Sequence, residues 1–86
     1  MKRTEQVRKE ILLQLYGSRP IALSAERIER DARKQGYGFT AFEIERELQF
    51  LMDEELIAQV ELKGSAIRLF RILSAGVKQF EGNYIA

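Results

Sequence analysis

The chain contains no cysteine, no histidine and no tryptophan, and its single proline is Pro20. Without cysteine there is no disulfide and no thiolate, and without cysteine and histidine there is no zinc site of the usual ligand set. The missing imidazole also removes the commonest general base. Most hydrolytic, redox and zinc chemistry is thereby excluded, which favours a binding module over an enzyme. A dominant charge of one sign is missing too. Fourteen basic residues face 13 acidic ones for a formal net charge of +1, so no bulk field declares a nucleic-acid or membrane partner. Near the start the longest unbroken apolar run is Ile11-Leu12-Leu13, far short of a signal-peptide core or a membrane span. The expectation is a soluble, cytoplasmic protein with no membrane partner. What is present is 86 residues, 45% of them apolar and 31% charged, enough for one domain with one modest core. The domain is expected over 1–86, with short tails at 1–3 and 83–86.

Apolar residues at Val7, Ile11, Leu12 and Leu15 lie on one helical stripe between Thr4 and Tyr16. Thr4 is placed to cap this first helix, and Gly17-Ser18-Arg19-Pro20 to break it. Ser24 reads as the cap of a second helix, with Leu23 and Ile28 as a hydrophobic staple and Gly36 as its C-terminal glycine. Thr40 and Glu43 form a T-x-x-E capping box flanked by a Phe39/Ile44 staple, and Ile44, Leu48 and Leu51 continue as a buried face. Only Tyr37-Gly38-Phe39 separates the second and third helices, so the pair reads as a helix-turn-helix.

After Leu56 the period changes. Ala58, Val60 and Leu62 alternate with Gln59 and Glu61, Lys63-Gly64-Ser65 makes a turn, and Ala66 to Leu73 reads as a second strand. The short run Ile21-Ala22-Leu23 can add a strand to that hairpin. Ser74 is placed to cap a last helix containing Val77 and Phe80, ended by Gly82-Asn83. Ile11, Leu15, Ile28, Ile44, Leu48, Leu51 and Leu56 are expected to form one core.

Helix, short strand, helix, tight turn, helix, hairpin is the order of the winged helix-turn-helix, and the residues agree beyond the order. Ile44-x3-Leu48-x2-Leu51-x4-Leu56-Ile57 is similar to that family's third helix running into its first wing strand. Phe70-Arg71-Ile72-Leu73-Ser74-Ala75-Gly76, followed by Glu81, resembles its exit from the wing. In two places the chain departs from the family pattern. Glu55 stands where a glycine often ends the third helix, and the capping hydroxyl is displaced from position 73 to Ser74. The resemblance covers roughly residues 4 to 82. It implies a mainly α fold with a small β wing: a three-helix core, an antiparallel hairpin and a short C-terminal helix.

It also implies a DNA-binding transcription regulator that presents its third helix to the major groove of double-stranded DNA. On that helix Phe42, Glu43, Arg46, Gln49, Phe50 and Asp53 project outward. Arg46 and Gln49 are suited to guanine and adenine, and Thr40 with the amides at the helix start to a phosphate. Against this, residues 40–55 carry six acids (Glu43, Glu45, Glu47, Asp53, Glu54, Glu55) and one base, Arg46, a segment charge of −5. Phosphate contacts are therefore expected from Arg27, Arg30 and Lys34 on the second helix and from Lys63 and Arg68 on the wing. A solvated face explains the second-helix charges equally well. Asp53-Glu54-Glu55 opposes the helix macrodipole and invites pairing with nearby Lys or Arg. The alternative function is a protein-interaction module in which exposed Phe42 and Phe50 bracket Arg46. Homodimerisation through the first and last helices is the expected assembly. No catalytic, cofactor or metal site emerges. The serines have no histidine to activate them, and Glu43 with Glu47 has no convergent third ligand.

Overall fold

The computed structural model describes residues 2–85. Its elements run α1 (Arg3–Ser18), β1 (Leu23–Ser24), α2 (Ala25–Lys34), α3 (Ala41–Asp53), β2 (Ile57–Glu61), β3 (Arg68–Ile72) and α4 (Ser74–Phe80), followed by a π-helical segment over Glu81–Ile85. The three strands form one antiparallel sheet in the order β1-β3-β2. Leu23 lies opposite Phe70, and Ile57 opposite Ile72, so both pairings turn apolar side chains toward the helices.

All seven expected core residues are buried, and they share one cluster with Val7, Leu12, Phe39, Ile57, Phe70 and Phe80. The helix-turn-helix is cut to shape by its caps. Ser24 Oγ accepts from the Arg27 amide at 3.1 Å, while Leu23 and Ile28 on either side are both buried. At the other end of α2 the Gly36 amide donates to Arg33 O and the Tyr37 amide to Ala32 O. That double closure needs a left-handed residue, and Gly36 supplies it at φ +94°. The chain then crosses to Thr40, where the capping box forms in full.

Several expected boundaries move. Lys2, not Thr4, occupies the cap position of α1, because the Arg3 guanidinium reaches Glu43 and Gly38 O and draws the first turn back by a residue. The helix also runs through Gly17 and Ser18. Ser18 Oγ donates to Ile21 O at 2.9 Å, and Arg19 Nε donates to Tyr16 O at 2.8 Å, which satisfies a carbonyl at the helix end and ties it to the following turn. The wing strands are shorter than their alternation suggested. Residues 62–67 form a loop in which the Ser65 amide bonds Leu62 O and Ser65 Oγ takes the Ile67 amide, local bonds that replace the ladder. Leu73, not Ser74, sits at the cap of α4, without a side-chain cap. Gly82 and Asn83 do not end the helical path. The Tyr16 hydroxyl donates to Glu81 at 2.6 Å, and Tyr84 packs on Phe80, holding the last turn against α1.

The wing docks through a close backbone approach. Leu56 O accepts from the Leu73 amide at 2.9 Å, and α4 passes directly over it at Gly76. A Cβ there would collide with Leu56 O and lie 2.7 Å from Ile72 Cγ1. The glycine of the wing-exit motif is thus a packing requirement.

Candidate nucleic-acid interface

Phe42, Arg46, Gln49 and Asp53 follow one another at i, i+4, i+7 and i+11, and together form the outward ridge of α3. All four are exposed, and Phe42 retains 72% of its accessible surface. Arg46 carries its guanidinium over the Phe42 ring, 5.7 Å from the centroid. Gln49 Nε2 donates to Asp53 Oδ1 at 2.9 Å.

On the flank toward α1, Arg3 pairs with Glu43, and Arg8 Nε donates to Glu47 Oε1 at 2.7 Å. Arg46 Nε donates to the other oxygen of Glu47, also at 2.7 Å. Glu47 is almost wholly buried, and two arginines and its surrounding core hold it there. The Arg8 guanidinium carbon lies over the Phe50 ring, 3.5 Å from its centroid. On the flank toward the wing, one Nη of Arg68 reaches both oxygens of Glu45, at 2.6 and 2.7 Å. Three acids of α3 are therefore matched by four arginines, Arg3, Arg8, Arg46 and Arg68. Adding Arg3, Arg8 and Arg68 to the segment brings its charge from −5 to −2, and what remains lies at Asp53, Glu54 and Glu55.

Glu43 is doubly held. The Arg3 guanidinium, and after it the Thr40 amide, lower its pKa from 4.5 to about 2. The same pair raises Arg3 above its ordinary value, through the hydrogen bond first and the charge of Glu43 second.

The expected site residues do not all serve as foreseen. Thr40 is exposed, but its hydroxyl accepts from the Glu43 amide and contacts Glu43 Oε1, so the start of α3 already holds a carboxylate of its own. A phosphate there would share these groups with the Glu43 carboxylate, which Arg3 pairs. Phe50 is half-buried beneath Arg8, so the aromatic bracket around Arg46 reduces to Phe42 alone. Arg68 is drawn onto α3 by Glu45 rather than free at the wing. On α2, Arg27 and Lys34 are exposed but share Asp31 at 3.2 and 3.9 Å, while Arg30 is exposed without an ion pair among the described residues. Lys63 is exposed in the wing loop and likewise unpaired among them.

Asp53-Glu54-Glu55 finds no Lys or Arg among the described residues, contrary to the pairing its charge invited. Instead it closes α3. The Glu55 amide donates to Met52 O and the Leu56 amide to Leu51 O, with Glu55 itself at φ 60°. These unpaired acids lie at the C-terminal end of the helix, away from its capped start.

Sequence reasoning missed Arg3, Arg8 and Glu47. One signal for Glu47 existed: it falls on the buried arc between Ile44, Leu48 and Leu51, where a carboxylate needs a partner. A second buried acid, Glu10, accepts from Gln14 Nε2 at 2.8 Å, and that amide also donates to Ile28 O, tying α1 to α2. Among the described residues no helix is long and apolar enough to cross a membrane, and no three acids gather as a metal site.

No family model and no curated protein matches the chain. Solved structures do. A variant of MepR from a multidrug-resistant clinical isolate of S. aureus superposes with a TM-score of 0.75 at 18% identity over 90% of this chain. A second S. aureus MepR variant gives 0.73 at 20% identity over 93%. PerR from Streptococcus pyogenes, described as sensing peroxide and regulating genes, gives 0.64 at 14% identity over 84%. The chain spans about half of those chains, 53%, 59% and 46% of their lengths. MepR and PerR are winged-helix transcription regulators. Three helices, a three-stranded antiparallel wing and a short fourth helix laid in their order make this chain a winged helix-turn-helix.

Proposed function

We propose that this chain is the DNA-binding module of a transcription regulator and not an enzyme, with α3 in the major groove and the wing beside it on the backbone. The observation that carries the reading is the pairing of Glu43, Glu45 and Glu47 with arginines from α1, α3 and β3. It reduces the repulsion an acidic helix would otherwise exert on phosphates and leaves the ridge uncovered. Recognition helices enter the groove by their N-terminal half. Here that half is the neutralised one, Asp53 is engaged by Gln49, and Glu54 and Glu55 lie at the far end of the helix. Glu47 holds Arg46 by Nε alone, so both Nη groups are available for the O6 and N7 of guanine. Lys63 and Arg30, together with Arg27 and Lys34, supply backbone contacts. Arg68 contributes once a phosphate competes with Glu45.

The similarity to the MepR and PerR structures supports the same reading at the level of fold. Two copies paired through α1 and the C-terminal helical segment would set two α3 ridges on successive half-sites. Leu13 and Ile85, exposed on those elements, supply apolar area for such a contact. Electrophoretic shift of random-sequence duplex, repeated over a salt series, tests the proposal. Binding that weakens with salt at about 0.9 log units per phosphate contact supports it. Absence of any shift at low salt refutes it.

A further inference from the structure

Phe42 is the most exposed large apolar side chain described, and it stands in the first turn of α3 rather than at a loop tip or chain end. Left in water, it forfeits most of what burying a phenyl ring returns. Its surroundings narrow what can cover it. Of the other aromatics near it in sequence, Phe39 is buried in the core, Tyr37 is exposed but stacked on Phe39, and Phe50 lies under Arg8. Its neighbours on the ridge are a guanidinium and an amide, Arg46 and Gln49. A protein hot spot is ringed by further contacts that exclude water, whereas this ring stands within a polar rim whose nearest charge on the ridge is the Arg46 guanidinium. Its partner should be a small apolar group set among hydrogen-bond acceptors and anionic charge. The major groove of duplex DNA offers one such group, the 5-methyl of thymine, which projects beside the O4 of its own base and the N7 of the paired adenine.

We infer that Phe42 is a specificity-determining residue that reads the 5-methyl group of thymine, making this module selective for A·T-containing major grooves; the inference rests on the DNA-binding reading above. Gln49 complements it. With one N–H of its amide held by Asp53, the other N–H and the carbonyl are presented together, the pair required for adenine N7 and N6. Asp53 thus acts as a positioning residue, fixing which end of the Gln49 amide faces the base.

The test compares two short alternating duplexes that differ only in that group: one of adenine and thymine, the other of adenine and deoxyuridine. Every register of the first presents methyls to the groove, so no target sequence has to be known. Affinities are measured by fluorescence anisotropy for the wild-type chain and for Phe42→Ala. Circular dichroism checks that the variant, altered at an exposed position, melts with the wild type. The wild type should prefer the thymine duplex by about fourfold per contacted methyl, the worth of one buried carbon. Phe42→Ala should bring the two duplexes to equal affinity. Equal wild-type affinity for both duplexes overturns the inference. So does a thymine preference that survives in Phe42→Ala, and so does a variant that binds both duplexes as the wild type does, which would assign the ring to another partner. Failure of the wild type to bind either duplex at low salt refutes instead the DNA-binding reading beneath it.

Discussion

Replacing Glu55 should make this protein more stable. Among the described residues Glu55 is the one non-glycine residue with positive φ, at 60°, and it takes that conformation to close α3 onto Leu51 O and Met52 O. A side chain with a Cβ costs about 1–2 kcal/mol in that region. The carboxylate adds a penalty at the negative end of the helix macrodipole, and because Glu55 is exposed this is near the lower limit, about 0.3 kcal/mol. Glycine removes both costs but frees the unfolded chain, which takes back about 0.4–1 kcal/mol. Glu55→Gly should therefore gain about 1 kcal/mol, or about 4–8 °C in a domain of this size. Two companions separate the causes. Glu55→Gln removes only the charge and should gain about 0.3 kcal/mol, while Glu55→Asn, which tolerates the left-handed region better, should fall between the two. Thermal and urea unfolding followed by circular dichroism measure all three. If Glu55→Gly is no more stable than Glu55→Gln, backbone conformation is not what Glu55 costs, and the reasoning fails.

Gly76→Ala should lose about 1–3 kcal/mol from overpacking, and more if the Leu73–Leu56 bond breaks, since the new methyl meets Leu56 O and Ile72; a urea midpoint equal to that of the wild type would contradict the close approach. Leu48→Ala, at a fully buried position, should cost about 2–5 kcal/mol in the same assay. The ion pair that lowers Glu43 to about 2 contributes stability above the unfolded value of 4.5 and loses it as pH falls from 4.5 through about 2. Acid unfolding of Glu43→Gln should be flatter over that window, and a carboxyl titration midpoint for Glu43 near 4.5 would remove the effect. In DNA binding, Lys63→Ala should lower the salt slope by about one contact, whereas Glu45→Ala should raise affinity by releasing Arg68 to phosphate; a loss of affinity in Glu45→Ala would mean that the pair positions the wing.

The fold was legible because its boundaries are written locally. Ser24, Gly36 and the Thr40–Glu43 box each satisfy specific helix-end amides or carbonyls with side chains a few residues away, so spacing alone places α2 and α3. Where boundaries shifted, a distant partner decided them. Arg3 extends α1 backward because Glu43 stands 40 positions away, and Glu81 carries the last turn past Gly82 because Tyr16 lies 65 positions away. The end of α3 shows the same contest at short range. The buried Leu51 and Leu56 and the two closing hydrogen bonds hold Glu55 in a conformation its own side chain resists.

The interface was less legible for a reason of the same kind. A segment charge assumes that each acid faces solvent on its own, and on a helix packed between two other elements that assumption holds only for the outward ridge. Of the acids on α3, Glu43 and Glu47 turn toward α1, and Glu45 turns toward β3. The sequence carries Arg3, Arg8 and Arg68 at distances of 40, 39 and 23 residues from those acids, too far for any helical spacing rule to connect them. Once the fold brings them together, Glu43 and Glu47 tie one flank of α3 to α1, while the exposed Glu45–Arg68 pair lies on the other flank. The ridge left between those flanks, Phe42, Arg46 and Gln49 with Asp53 behind, is the part of the helix free to recognise something. Its chemistry is one apolar ring, one guanidinium and one oriented amide, and three of the six acids that counted against DNA are paired with arginines along its flanks.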